Sequence, residues 1–295
     1  MQFISTRIFF ILIIFLSVAF SGCEPHEGEE GIPSYIHISS LSLSATPEQG
    51  SSSHKITDAW VFFGNELIGA FELPVTFPVL KAGMHQVTVY AGIKINGIAA
   101  TRAPYPFFTP IITTINLVRD SIVTLTDTVV TYNDNTVFTW MENFDDVSIT
   151  LDTTSLSQVA LERVSDPNKI FNFPYEPNIY SGHVFFEGEA GFFECVTIES
   201  FNLPTDERAV FLELNFKNNT PVVVGIIANR GNESFQHSVL ILNPSEAWNK
   251  IYVNLTPSVN RFIADYTFNV FIGLSRTDTE PPALVYLDNL KLVHF

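Results

Sequence analysis

Thr57-Asp58-Ala59-Trp60-Val61-Phe62-Phe63, then Gly64-Asn65, then Glu66-Leu67-Ile68-Gly69-Ala70-Phe71-Glu72-Leu73 is the stretch that sets the fold class. Two runs rich in aromatic and branched apolar residues flank a Gly-Asn pair. Such side chains suit the pleated, half-buried surface of a strand. Gly-Asn supplies the positive φ that a two-residue hairpin turn demands. The segment therefore predicts strands at Thr57–Phe63 and Glu66–Leu73 joined by a tight turn. The same pattern extends in both directions. Upstream lie a strand at Tyr35–Leu43 and a polar loop from Ser44 to Lys55 that holds Pro47 and Gly50. Downstream, Lys81-Ala82-Gly83 turns the chain into Met84–Ile93, and Asn96-Gly97 leads into Ile98–Arg102. Pro104, Pro106 and Pro110 cannot donate to a ladder, so 104–110 belongs at an edge or in a loop. Strands return at Ile111–Leu117 and Ile122–Thr131. Beyond the first 22 residues no ten-residue stretch has the three- and four-residue apolar spacing of an amphipathic helix. The expected class is all-β, with an immunoglobulin-like sandwich over residues 33–132.

Composition narrows the function. The 295 residues are 46% hydrophobic, 13% aromatic and only 16% charged, enough apolar material for a large core in one or two domains. The formal net charge is −16, which repels phosphate backbones and excludes nucleic acid as a partner. Seven histidines, His26, His37, His54, His85, His183, His237 and His294, are scattered without metal-ligand spacing. No nucleophile elbow, P-loop or dinucleotide fingerprint is present. Cys195 lies in an apolar run, Gly191 to Ile198, and reads as a buried, inert thiol. A noncatalytic protein is expected.

The N-terminus reads as an address. Residues 1–22 comprise a short segment with Arg7 and an apolar run, Ile8–Phe20, too short for a hydrocarbon core that needs about 20 residues. Phe20-Ser21-Gly22-Cys23 resembles the lipobox of bacterial lipoproteins, although Phe20 stands where Leu is usual. The resemblance implies removal of residues 1–22 and lipidation of Cys23, hence a membrane anchor. Cleavage would remove Arg7 and no acid, leaving 14 basic and 31 acidic side chains and a charge of −17. Residues 23–32 form an acidic tether holding Glu24, Glu27, Glu29 and Glu30. This tether is similar to the export signal of Bacteroidota-type surface lipoproteins, which implies the outer membrane and its extracellular face.

Two further resemblances concern the folded part. Trp60–Tyr90, with Leu67-Ile68-Gly69, Leu73-Pro74 and Leu80-Lys81-Ala82-Gly83-Met84-His85, is similar to PEGA-type repeats, which act as structural modules. Beyond a linker at residues 133–137, the segment 138–295 opens with Trp140-Met141-Glu142-Asn143-Phe144-Asp145-Asp146 and closes with Val285-Tyr286-Leu287-Asp288-Asn289-Leu290-Lys291-Leu292. Between them lie Ser181-Gly182-His183 and Ala247-Trp248-Asn249-Lys250-Ile251-Tyr252-Val253-Asn254-Leu255. These motifs, in this order, resemble jelly-roll carbohydrate-binding modules. The resemblance implies a jelly-roll β-sandwich over 138–295 that binds an extracellular ligand, foremost a glycan.

Phe173, Phe185, Phe186, Phe192, Phe193, Phe211, Phe216, Phe268 and Phe271 are expected in the core, and Trp248 is a core residue in the resembled family. Tyr and Trp make better sugar platforms than Phe, because each pairs a flat apolar face with a polar edge. The candidate ligand-binding residues are therefore Tyr175 and Tyr180 around a Pro-rich loop, with Asn229, Arg230 and Asn232 in a second loop. The resemblance also implies a structural calcium, with Glu142, Asp145 and Asp288 as candidate ligands, since hard oxygen donors suit that ion. Asp288 accepting hydrogen bonds from a neighbouring loop, without metal, stands beside that reading. A protein partner, with the chain as an accessory subunit of an outer-membrane complex, is the alternative to a glycan.

Overall fold

The computed structural model describes residues 31–189, 191–276 and 281–295. Cys23, the signal segment and most of the acidic tether lie outside the described residues. Ten strands build the N-terminal half: β1 (Ser34–Ile38), β2 (Ser42–Leu43), β3 (Asp58–Phe63), β4 (Glu66–Glu72), β5 (Val75–Val79), β6 (Gly83–Lys94), β7 (Arg102–Pro104), β8 (Ile111–Leu117), β9 (Ile122–Thr124) and β10 (Val129–Val130). β4-β3-β6-β7, with β8 also on β6, make one sheet of the immunoglobulin-like sandwich; β5-β1-β9 and the pair β10-β2 face it. The hairpin around Gly64-Asn65 forms as expected, Phe63 opposite Glu66, with Gly64 at φ +58°. Ile98–Arg102 is not a strand. The chain turns through 96–101, Ile98 N–H to Ile95 and Thr101 N–H to Ile98, before pairing as β7. Pro104 sits in that edge strand, where its missing N–H costs no ladder bond.

Eleven strands build the C-terminal half: β11 (Val137–Glu142), β12 (Leu151–Thr153), β13 (Glu162–Val164), β14 (Ser181–Phe186), β15 (Phe192–Thr197), β16 (Val210–Asn218), β17 (Val222–Arg230), β18 (Glu233–Leu242), β19 (Ser245–Asn254), β20 (Thr267–Ser275) and β21 (Ala283–His294). Sheet one runs β13-β14-β21-β16-β19, with β11 also on β21; sheet two runs β12-β15-β20-β17-β18. The pairing is antiparallel throughout this jelly-roll sandwich. The opening and closing motifs are thus side by side, Glu142 opposite Leu290. Alternate residues of the two sheets meet in a core that includes Val184, Phe186, Phe193, Cys195, Leu212, Leu214, Val224, Ile226, Phe268, Ile272 and Leu292.

Not every expected core phenylalanine is there. Phe185 points off the outer face of sheet one, 42% exposed, and Phe173 is half-buried in a loop. Phe192 is half-buried on the outer face of sheet two. Phe211 is buried, but in the core of the N-terminal half. Trp248 is half-buried on the outer face of sheet one, against Phe171 and Tyr286, rather than between the sheets. Strand alternation assigns faces, yet the number of rings on each face depends on what covers it.

The halves are joined by more than residues 133–137. Phe211, Tyr252 and Val293, on the outer face of sheet one, belong to the same cluster as Ile36, Val61, Phe107 and Tyr132. Tyr105 and Tyr132 donate to the Glu213 carboxylate at 2.8 and 3.0 Å, and Lys250 pairs with it at 3.1 Å. Burial pushes the Glu213 carboxyl up, but the charges of Lys250 and Lys291 and the Tyr105 hydrogen bond together hold it below its ordinary value. Ile95 bridges Tyr252, Asn96 N–H donates to the Tyr252 carbonyl at 2.9 Å, and Asn254 N–H donates to Asn96 Oδ1 at 2.8 Å.

Candidate functional site

Three of the four quoted motifs of the C-terminal half, the opening, the Ser181-Gly182 and the closing ones, converge on one knot. Phe144 is buried at φ +63°, and its ring covers Gly182: a Cβ at position 182 would lie 2.5 Å from it. This contact is why a glycine follows Ser181 where the opening motif places a phenylalanine. Asp145 Oδ1 accepts the Ile179 and Tyr180 N–H groups at 3.0 and 2.9 Å. Asp288 accepts the Ser181 hydroxyl, Asn178 Nδ2 at 2.8 Å and the Asn289 N–H at 2.7 Å. Glu142 accepts the Phe144 N–H at 2.7 Å and both the Thr150 N–H and hydroxyl at 2.6 Å.

These bonds test the calcium expectation. Glu142, Asp145 and Asp288 each face N–H or O–H donors, whose positive ends occupy the positions a cation would take. They serve three separate sets of partners, and among the described residues no group of three Asp, Glu, His or Cys could hold a metal. The residues do not fit a calcium cage, and the hydrogen-bonded reading of Asp288 describes them. Burial pushes the Asp288 carboxyl up to about 7, against the hydrogen bonds of Ser181, Asn178 and Asn289.

The knot carries a loop. From β13 the chain crosses the outer face of sheet one through Phe171, whose ring packs edge-on against Trp248 at 5.4 Å. It then turns at Phe173–Glu176 with Tyr175 at the apex, at φ +66° and fully exposed. Glu176 fastens this loop to the N-terminal half, accepting the Ser51 hydroxyl at 2.6 Å and the Ser52 N–H at 2.8 Å. Between the two halves lies a groove of about 450 Å³. Phe171, Phe173 and Tyr175 line one side; Thr46, Pro47, Gly50 and Ser51 line the other. Asn143, Asp145, Asn178 and Asn289 bring polar groups to it. A second recess shares Pro47, Gly50, Ser51, Asn143 and Asn289 and reaches Lys291. Lys291 is 1% exposed, and its Nζ donates to the Ser51 carbonyl at 2.6 Å beneath Gly50. Burial pushes its ammonium down to about 7.

Of the five ligand-binding candidates only Tyr175 lines this groove. Tyr180 packs its ring on the Arg163 guanidinium at 4.5 Å and against the core. Asn229, Arg230 and Asn232 sit at the β17–β18 hairpin of sheet two. Asn229 is bonded to Asn269 and Ser234; Arg230 pairs with Glu233 at 2.8 Å and covers Tyr266 at 4.7 Å. Asn232 lies exposed in the turn between the strands. The two loops belong to different sheets, so they do not form one site. The N-terminal wall at 46–51 was readable only as a polar loop, and nothing local in it points to a partner 125 residues away at Glu176. Cys195 is buried as expected, and burial pushes its thiol up to about 12.

No protein-family model matches this chain, and no curated protein matches it. Among solved structures it is similar to a carbohydrate-binding module of the β-sandwich superfamily, at 13% identity over 90% of this chain and 99% of that one, with a TM-score of 0.39. It is similar to a family 11 carbohydrate-binding module from a cellulosomal cellulase of Clostridium thermocellum, at 13% identity over 54% of this chain and 96% of that one, with a TM-score of 0.36. A family 30 module from another cellulosomal cellulase of that organism gives 12% identity, 55% and 94% coverage and a TM-score of 0.35. At these values the likeness concerns the β-sandwich fold alone. Fold and site together define an all-β protein of two sandwiches with a shared, aromatic-lined groove.

Proposed function

We propose that the chain is a noncatalytic lipoprotein of the outer membrane, anchored through Cys23 and facing outward, whose groove binds a glycan. One observation carries the glycan reading. The groove sets the rings of Phe173 and Tyr175 beside the amides of Asn143 and Asn289. A sugar needs that pairing: a flat apolar face for its C–H groups and side chains that both donate and accept for its hydroxyls. Phe171, pinned on Trp248, and Glu176, tied to Ser51 and Ser52, fix the loop before any ligand arrives. Such preorganisation lowers the ordering cost of binding. The Trp60–Tyr90 segment, with its resemblance to structural repeats, serves as a spacer.

A glycan array probed with the full chain, beside Tyr175→Ala, tests the reading. Retention of at least one glycan is expected, with the variant about fivefold weaker, in line with roughly 1 kcal/mol for a lost ring contact. Silence across the array, with a stoichiometric protein partner copurifying from detergent extracts, would replace glycan with protein. For the anchor, Cys23→Ser is expected to move the protein from the membrane to the soluble fraction. Retention of that variant on membranes would sink the lipid-anchor assignment.

A further inference from the structure

The side chains of the groove also bear on the charge of its ligand. We propose that the groove takes an uncharged saccharide and rejects chains bearing uronate or sulfate, an inference that rests on the glycan reading above. Asp145 and Glu176 place two carboxylates on the lining, and among the described lining residues none is Lys, Arg or His. Two bases lie close to the lining and both are engaged: His54 packs edge-on against Phe173 at 6.1 Å with its Nδ1 bonded to the Ser52 carbonyl at 2.9 Å, and Lys291 of the adjoining recess is 1% exposed and committed to the Ser51 carbonyl. Its ammonium lies under Gly50, where even a Cβ would come within 3.3 Å of Lys291 Cε. It therefore cannot meet an anion in the groove without unseating the loop.

The polar chemistry points the same way. Sugar hydroxyls donate and accept, as do the carboxamides of Asn143 and Asn289. Carboxylate and sulfate only accept, and they are bound tightly where charged donors meet them. Here they would share one groove with the two acids, inside the screening length of physiological salt. Like charges placed so across an interface are strongly disfavoured. The formal net charge of −16 adds a repulsive approach.

Affinity electrophoresis of the intact chain tests this. Native gels would contain a neutral β-glucan or galactomannan, or alginate, polygalacturonate or chondroitin sulfate, and would be run with the parent chain and Tyr175→Ala. The expected result is retardation in a neutral gel, lost with Tyr175→Ala and insensitive to added salt, with anionic polysaccharides at least tenfold weaker. Retardation by an anionic polysaccharide that Tyr175→Ala abolishes would overturn the uncharged class while leaving glycan binding in place. Neutral retardation that survives Tyr175→Ala would remove the groove as its seat. No retardation in any gel would overturn the glycan reading and this inference together.

Discussion

Two residues carry unusual consequences of burial. Burial raises the Asp288 carboxyl from 3.8 to about 7 against the hydrogen bonds it accepts. The folded chain then holds a proton that the unfolded chain releases from about pH 4 upward. The stability due to this group is full below that pH and is lost as pH rises through 7. Lys291 is lowered from 10.5 to about 7. Its contribution is full above the unfolded value and is lost as pH falls through 7. Together the two place a stability minimum near neutrality. Urea titrations at several pH values check this. The parent chain should gain on Asp288→Asn as pH drops from about 7 to 4, and gain on Lys291→Met as pH climbs from about 7 to 10. Flat differences would mean that these groups titrate normally.

Phe144 and Gly182 act as a pair at the same scale. Phe144→Ala should cost about 3–5 kcal/mol through the cavity left above Gly182, and Gly182→Ala about 1–3 kcal/mol through overpacking of the same ring. The two should be strongly non-additive, since each removes the other's reason. Additive losses in a double-mutant cycle would deny the contact. Calcium provides a third check. With the carboxylates of Glu142, Asp145 and Asp288 engaged by protein donors, chelator and added calcium should leave the melting temperature unchanged. A calcium-dependent rise would reopen the metal reading.

Among the elements, the loop from β13 to β14 is the one that matters most. It has no regular structure, yet it is held by Phe171 on Trp248, by a backbone bridge between Phe173 and Glu176, and by Glu176 on Ser51 and Ser52. Glu176→Ala removes two inter-half hydrogen bonds and frees the loop from the N-terminal wall. Glycan affinity should fall several-fold, while the melting temperature moves by only a few degrees, because the bonds lie at the groove's edge. An unchanged affinity would show that the wall is not needed. Strand positions were largely legible from the sequence, because turn residues and β-branched runs act locally: β3, β4, β6 and β8 fall within a residue or so of their expected limits. The strand expected at Ile98–Arg102 was not legible. A turn through 96–101 won there because Asn96 is recruited by Tyr252 and Asn254 of the other half.

For the whole molecule, the shared core changes what counts as an independent unit. Phe211, Tyr252 and Val293 are apolar or aromatic residues on the outer face of sheet one, buried only because the N-terminal half covers them. Glu213 and Lys291 lie on the same face, and Tyr105 and Tyr132 complete the hydrogen bonds of Glu213. A fragment of residues 138–295 would expose this face, so it is expected to aggregate or to melt well below the full chain. A soluble monomeric fragment with the parent's melting temperature would show that the halves are energetically separate. Binding experiments accordingly belong to the full chain.

The sequence by itself determined the all-β class, the hairpin at Gly64-Asn65 and the burial of Cys195. Each of these follows from local propensity, turn chemistry or a short motif. The tertiary structure alone decided that Asn229, Arg230 and Asn232 lie away from Tyr175, that Glu142, Asp145 and Asp288 are taken up by protein donors, and that the Ser44–Lys55 loop walls the site. The physical reason is the same in each case. A side chain's partner is whatever packing brings to it, and Glu176 reaches Ser51 only after two sandwiches have buried a common face between them.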